Sequence, residues 1–354
     1  MKIALINDTH FGTRSDSQIF TDYFFKFFEE IFYPYLKTNN INTVFHLGDL
    51  VDRRKFINFN TLNQVRTRFL EPLEQMGVHT HILLGNHDTY YKNTNELNSL
   101  VELLDGKYKN INIIDKPTEL WLGNDGFALI PWINKNNNKE SMEFLDTTSC
   151  PIAVGHFELN GYEVVPGLKH NGGMDDQPLR KFEQVWSGHF HQKSSNNNIH
   201  YLGSQYQITF SDLSVKKGFH VFDTETRTLE FIENPFRMFH SINYNDENPD
   251  IIEDMINNTD FSQYENGYVK IFVNEKNNPY LFDRFLDNLY DVQVGNVTII
   301  EDLHHDILDD SDVVDMSKDT LSLIIDEIES MEEIKDKDKL KKIMKELYME
   351  SLSL

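Results

Sequence analysis

The stretch His81-Ile82-Leu83-Leu84-Gly85-Asn86-His87-Asp88 runs from an apolar, strand-like segment straight into a glycine and three polar side chains. Three such side chains directly after a buried strand have no packing purpose. The stretch therefore predicts a strand that delivers them to a working edge. Further segments repeat the design. Ile3 to Ile6 precede Asp8-Thr9-His10, and Val44 to Leu47 precede Gly48-Asp49. Ile152 to Val154 precede Gly155-His156, and Val185-Trp186 precede Gly188-His189-Phe190-His191. In a layered α/β fold the carboxyl ends of buried strands converge on one edge, where ligands bind. The pattern predicts that two Asp, one Asn and five His from these segments meet in one cleft.

Taken singly, most of these motifs have a duller explanation. Asp-x-His is common, Gly-Asp is commonplace at a strand-to-turn junction, and Gly155-His156 reads equally well as a turn with a satisfied histidine. Gly188-His189-Phe190-His191 also fits a half-buried strand face, on which alternate residues point the same way. On that reading both rings reach the cleft from a strand. The order and spacing of the whole set outweigh the separate explanations. The remaining histidines, at 46, 79, 81, 170, 200, 220, 240, 304 and 305, lack such context and read as surface or core residues. His46 and His81 are expected on strand faces.

The donor types define the chemistry. Carboxylate, amide oxygen and imidazole suit manganese, iron or zinc better than calcium or magnesium, and no thiolate is at hand. The set is large enough for two divalent ions, with Asp49 the natural bridge between them. Two ions about 3.5–4 Å apart lower the pKa of a shared water and clamp the oxygens of an in-line displacement at phosphorus. The expectation is two-metal hydrolysis of a phosphoester.

The ordered set Asp-x-His, Gly-Asp, Gly-Asn-His-Asp, Gly-His and Gly-His-x-His resembles that of the calcineurin-like metallophosphoesterases. The closing Gly-His-x-His and the phrase Gly48-Asp49-Leu50-Val51-Asp52 resemble the SbcD-type DNA repair nucleases. Gly155-His156-Phe157-Glu158-Leu159-Asn160-Gly161 and Val185-Trp186-Ser187-Gly188-His189-Phe190-His191 are similar to the recombination exonuclease subunits of T-even-type phages. The resemblance covers residues 1 to 235 well and the remainder in outline. It implies one ion on Asp8, His10, Asp49 and His191, and a second on Asp49, Asn86, His156 and His189, with manganese the expected metal. It leaves His87 beside the cleft as the catalytic group that stabilises the scissile phosphate and assists the leaving oxygen. Where some relatives carry a histidine three residues after the bridging aspartate, this chain has Asp52. The resemblance further implies exonuclease and endonuclease activity in DNA recombination, repair and replication. The implied partners are DNA and an SMC-like ATPase of the SbcC type, in a heterotetramer containing a homodimer of this chain.

Composition bounds the rest. A chain of 354 residues has room for two or three domains. Its lone cysteine, Cys150, excludes an internal disulfide framework and fits a reducing compartment. Met1-Lys2 leads directly into a motif-bearing strand, so a cytoplasmic protein without a leader is expected, in the host cytoplasm if phage-encoded. The aromatic stretch Tyr23 to Leu36 is interrupted by Lys26, Glu29, Glu30 and Pro34 and reads as a buried helix rather than a membrane span. The net charge of −24 is the reverse of a DNA-binding footprint, but it is uneven. Residues 236–354 hold 28 acids against 11 bases, a net of −17, which leaves −7 for residues 1–235. Arg53-Arg54-Lys55, just after the bridging aspartate, is a candidate phosphate contact and equally a solvated loop.

The periodicity predicts strands at 2–7, 43–48 and 79–85 alternating with helices at 17–38, 59–76 and 95–104. Strands then dominate, at 111–115, 118–122, 126–132, 151–156, 184–191 and 199–203, with a hairpin at 217–233. Polar loops are expected at 134–138 and 194–198, and a Gly- and Pro-rich loop over 161–178 is placed to cover the cleft. The fold class expected is an α/β layered β-sandwich flanked by helices, comprising a nuclease domain over 1–235. A small α+β capping, DNA-binding domain is expected over 236–300, with strands at 267–274 and 291–300 flanking a helix at 279–290. An acidic linker over 301–316 precedes a helical ATPase-docking element over 317–354. There Leu321, Ile324, Ile325, Ile328, Ile343 and Leu347 carry the apolar stripes. Packing of both stripes onto the nuclease core is the alternative.

Two rival functions stand beside the nuclease. Gly48-Asp49-Leu50-Val51-Asp52-Arg53 also resembles a phrase of Ser/Thr protein phosphatases, although those usually carry Gly-Asn-His-Glu and lack a closing Gly-His-x-His. A non-catalytic organiser of an ATPase on DNA ends is the other, and the complete ligand set argues against it.

Overall fold

A computed structural model describes residues 1–165 and 168–301, together with residues 337, 339–341 and 344. The chain divides into two compact units, Met1–Leu303 and His304–Leu354. In the second unit the described residues Lys337, Lys339, Leu340, Lys341 and Met344 are helical. The acidic linker and the positions Leu321, Ile324, Ile325, Ile328, Ile343 and Leu347 lie outside the described residues.

The first unit is built on two six-stranded sheets packed face to face. One runs in the order Thr228–Glu233, Gly218–Asp223, Lys2–Ile6, Thr43–His46, His79–Leu83, Ile111–Ile114. Its last four strands are parallel, and the C-terminal hairpin adds antiparallel to Lys2–Ile6. The other runs Ser194–Asn196, Ile199–Tyr201, Gln184–Ser187, Ile152–Gly155, Asp125–Ile130, Thr118–Leu122. It too has a parallel centre, with antiparallel edge strands.

Strand alternation sorts the core into layers. Ile3 and Leu5 face the second sheet and join Phe45, Leu83, Phe127, Leu129, Val154 and Trp186 in the inter-sheet layer. Ala4 and Ile6 face the other way, into the aromatic helical stretch where Phe20, Phe24, Phe25, Phe27, Phe28 and Phe32 are all buried. That stretch runs as a helix over Gln18–Phe27, a π-helical turn over Phe28–Phe32 and a helix over Tyr33–Thr38. It is the buried helix expected from its charges. On the outer face of the second sheet, Ala128, Ala153 and Val185 pack against Leu145 and Leu179.

Several elements differ from expectation. A helix occupies Asn138–Thr147, directly after the Asn-rich loop. The asparagines leading into it and its first residue, Asn138, have low helix propensity, and only Ser141 and Leu145 are buried, so its apolar stripe is too thin to read. The helix expected from residue 95 begins at Ser99, where Asn98 caps Val101 N–H. The polar stretch at 194–198 forms an edge hairpin.

Beyond Asn234-Pro235, Phe239–Asn245, Tyr268–Glu275 and Asn296–Ile300 form a wholly parallel three-stranded sheet. Helices Pro249–Asn258 and Pro279–Asp291 connect the strands and cover Ile242, Tyr244, Ile271 and Val273. The order is strand-helix-strand-helix-strand. The first strand escaped the sequence reading because His240, Ser241, Asn243 and Asn245 deny Phe239–Asn245 the continuous apolar run that marked the motif-bearing strands. No described helix is long and apolar enough to cross a membrane.

Candidate metal centre

The parallel strands of both sheets end at one edge, and the motifs follow them. Lys2–Ile6, Thr43–His46 and His79–Leu83 release the loops carrying Asp8 and His10, Asp49, and Asn86 and His87. Ile152–Gly155 and Gln184–Ser187 release His156, and His189 with His191. The last strand stops at Ser187, so His189 and His191 are not strand residues. The expectation of a shared strand face fails there, because the loop turns at His189, whose φ is 83°. Both rings nevertheless reach the cleft.

Close approach explains the glycines. A Cβ on Gly85 would run into the Asp49 carboxylate and backbone, and one on Gly48 would stand 2.5 Å from His156 Nδ1. Asp8, His10 and Asp49 also adopt left-handed φ values of 49°, 41° and 57°. Left-handed backbone at non-glycine residues is costly and survives where the surroundings over-determine it, commonly at functional sites.

Two clusters share one side chain. In the first, His10 Nε2 lies 3.0 Å from His191 Nε2, 3.8 Å from Asp8 Oδ1 and 3.7 Å from Asp49 Oδ2. In the second, His156 Nε2 lies 3.3 Å from the same Asp49 Oδ2 and 3.0 Å from Asn86 Oδ1, which is 3.1 Å from His189 Nδ1. Atoms bound about 2.1 Å from one cation stand about 3.0–3.4 Å apart. The second cluster has that spacing throughout, whereas the first, at 3.0–3.8 Å, is a few tenths of an ångström wider. Asp49 Oδ1 is occupied elsewhere, accepting the His87 backbone N–H at 2.7 Å. That leaves Oδ2 between the clusters. Asp8, His10, Asp49, Asn86, His156, His189 and His191 are all buried, whereas His87 is half-buried.

The electrostatics favour ligation. Burial opposes charge on Asp49, but His156, His87 and His10 hold its carboxyl well below the usual range. Burial, with neighbouring histidines, keeps His189 and His191 far below the usual imidazole pKa, so both present neutral nitrogens. His10 and His156, opposed by burial, are pushed up to about 9 by the carboxylates around them. A divalent cation would displace those protons.

Supporting groups orient the donors, as second-layer partners do around metals generally. The Leu47 carbonyl lies 2.7 Å from His156 Nδ1, which directs Nε2 into the cleft. Asp52, unassigned by sequence, places its carboxylate 3.4 Å from His10 Nδ1 and offers its carbonyl to His87 Nδ1. Lys217, missed by sequence, is buried, pairs with Asp212 at 2.6 Å and donates to the His191 carbonyl at 2.8 Å. Only fold-level proximity reveals it. His46 holds Thr9 Oγ1 at 3.0 Å beneath the site.

Asp88 has a purpose the sequence concealed. It points away from the cleft and accepts the backbone N–H groups of Asp49, Leu50, Val51 and Gly85 at 2.8–3.3 Å. It clamps the Asp49 loop to the Gly85 turn. In Asp88→Asn, whichever way the amide turns, its NH2 faces backbone donors. A stability loss on the order of 3 kcal/mol is expected in denaturant unfolding. An unchanged midpoint would disprove the clamp.

Arg53 is engaged by Asp16 and stacks over Phe56 at 4.6 Å, so Lys55 is the exposed cation of that run, with Arg54 half-buried.

Residues 1–193 match the model of the family described as calcineurin-like phosphoesterase. The chain belongs to that family. Over 99% of its own length and 99% of the relative's, it is 31% identical to exonuclease subunit 1 of Enterobacteria phage T4. It is also 30% identical to a subunit of the nuclease SbcCD from Staphylococcus epidermidis, over 24% of this chain and 25% of that one. Among solved structures, an archaeal phosphodiesterase covers 66% of this chain and 100% of its own, at 14% identity and a TM-score of 0.32.

Proposed function

We propose that this chain is a manganese-dependent DNA nuclease, the phosphodiesterase subunit of a complex with an SMC-like ATPase. The observation that carries the reading is the pair of donor clusters meeting at Asp49 Oδ2, with the half-buried His87 at their lip. Full-length similarity to the T4 exonuclease subunit and local similarity to the SbcCD nuclease favour DNA over other phosphoesters. Divalent ions at such a site supply an activated water and neutralise charge on the phosphoryl oxygens. Asp8, His10, Asp49 and His191 hold one ion, and Asp49, Asn86, His156 and His189 hold the other. His87, its Nδ1 directed at the Asp52 carbonyl, presents Nε2 to the scissile phosphate and the leaving oxygen. We assign the half-exposed imidazole to the substrate, although it also stands with His10 and Asp49 in a group that could hold an ion.

The three-stranded module, which packs on the Gln18–Phe27 helix through Phe239 and Tyr268, serves as the capping, DNA-contacting domain. Residues 317–354 dock the ATPase in a heterotetramer built on a dimer of this chain. Such a partner also answers the charge problem, since a net of −17 over residues 236–354 repels DNA unless another surface supplies the attraction.

The test is the full-length chain with manganese on linear DNA and, separately, on a phosphopeptide. Release of nucleotides from DNA with an inert phosphopeptide is expected. Phosphopeptide hydrolysis with intact DNA would turn the reading to a protein phosphatase.

A further inference from the structure

Beside the donor clusters lies a cleft of about 680 Å³ whose walls include Trp132, Asn134, Lys135, Glu158 and Met174, with His156 at its inner end. Its volume falls in the range of about 300–1,000 Å³ typical of small-molecule sites. Trp132 sits at the carboxyl end of another second-sheet strand, Asp125–Ile130, which delivers no metal donor. Its ring centroid is 5.3 Å from that of His189 and 6.0 Å from that of His156, and it is only half-buried. A tryptophan kept at the mouth of a cleft, against the rings of two candidate ligands, is not there to fill the core.

The platform beneath it is fixed. Trp132 N–H donates to the Leu84 carbonyl at 2.8 Å, and its own carbonyl accepts from Asn95 Nδ2 and Asn137 Nδ2, each at 2.9 Å. Asn134 is tied to Asn95 Oδ1 at 2.7 Å. The opposite wall is anchored as well, with Met174 N–H on the Glu158 carbonyl at 2.8 Å and Asn160 N–H on the Met174 carbonyl at 3.1 Å. Aromatic wall, thioether wall and exposed Lys135 at the rim form a slot with a flat apolar interior and a cationic lip. Nucleobases stack on such aromatic surfaces for about 1–3 kcal/mol each, with little sequence preference.

The geometry points to this cleft as a nucleobase pocket, in which Trp132 stacks the unpaired base next to the phosphate lying on the Asp49 centre. The inference rests on the nuclease reading and deepens it. A base held in the slot cannot remain stacked in a duplex, so the substrate unit is a frayed or single-stranded terminal nucleotide. Asn134 and the aliphatic stem of Lys135 flank the base without reading its identity, and Lys135 Nζ meets the next phosphate.

The test compares binding of 2′-deoxyadenosine 5′-monophosphate and base-free 2-deoxyribose 5-phosphate to the full-length chain with manganese. The native protein is expected to prefer the nucleotide by roughly tenfold or more, the scale of one base stacked on an aromatic ring. W132A should bring the two affinities close to equality, and W132F should keep most of the preference. Nucleotide-induced quenching of tryptophan emission should persist in the native protein and vanish in W132F. A W132A protein that keeps the full preference would overturn the pocket, as would a native protein with none. The two readings fail separately. A native chain that cuts DNA without preferring the nucleotide loses the pocket and keeps the nuclease. One that prefers the nucleotide and leaves DNA intact keeps the pocket and loses the nuclease.

Discussion

Asp49→Asn should release both metal ions and lower DNA cleavage by roughly a thousandfold or more, a loss at least as large as removing a preorganised electrostatic group. The geometry makes the expectation sharp. Asp49 Oδ1 accepts the His87 backbone N–H, so in the asparagine variant the amide oxygen stays at that position. The NH2 group then replaces Oδ2, the atom 3.7 Å from His10 Nε2 and 3.3 Å from His156 Nε2. An amide nitrogen has no lone pair to share with a cation, and here it would face both donor sets at once. Asp8→Asn, which touches only the first cluster, should lose mainly one ion. Metal analysis of the purified variants decides the matter. Two ions retained by Asp49→Asn would sink the bridging assignment.

The second large effect separates catalysis from ligation. His87→Ala should keep close to native metal content while single-turnover cleavage falls by on the order of 100-fold or more. The contact that His87 makes with Asp49 comes from its backbone N–H, which alanine retains. The imidazole itself leans on the Asp52 carbonyl and stands edge-on to His10, with ring centroids 4.8 Å apart. Removing it leaves both clusters their donors and takes away the half-exposed group at the lip. If metal content drops in parallel with the rate, His87 is a ligand and its assignment as the catalytic group is wrong.

The layered α/β class and the convergence of the five motifs were legible because each depends on a local rule. An apolar β-rich run ending in glycine and a polar donor marks a strand end, and parallel strand ends share an edge. What escaped depends on contacts between segments distant in sequence. Asp88 looked like a third cleft residue and instead clamps the Asp49 loop, because its partners are backbone groups that no sequence pattern marks. Lys217 carries no motif around it and is buried against Asp212 and the His191 carbonyl. Trp132 follows an apolar strand as the donors do, but carries no metal-binding atom, so nothing in its residue type marked it. His189 and His191 were placed in the right cleft for a wrong local reason, since spacing alone does not distinguish a strand face from a left-handed turn.

The donor clusters are also non-local objects, with His10 touching His191 across 181 residues and Asp8 accepting the His189 backbone N–H across the same distance. Contacts of such separation form late in folding, after the loops between them have been closed. During synthesis, a chain shorter than about 190 residues holds Asp8, Asp49 and Asn86 without the histidines that complete either cluster. Complete donor clusters therefore arrive with the docking of the second sheet onto the first and cannot precede it. The same dependence runs backwards on heating. Parting the two sheets scatters both donor sets together, so an overheated or half-degraded molecule is left with neither cluster rather than with a loosened one.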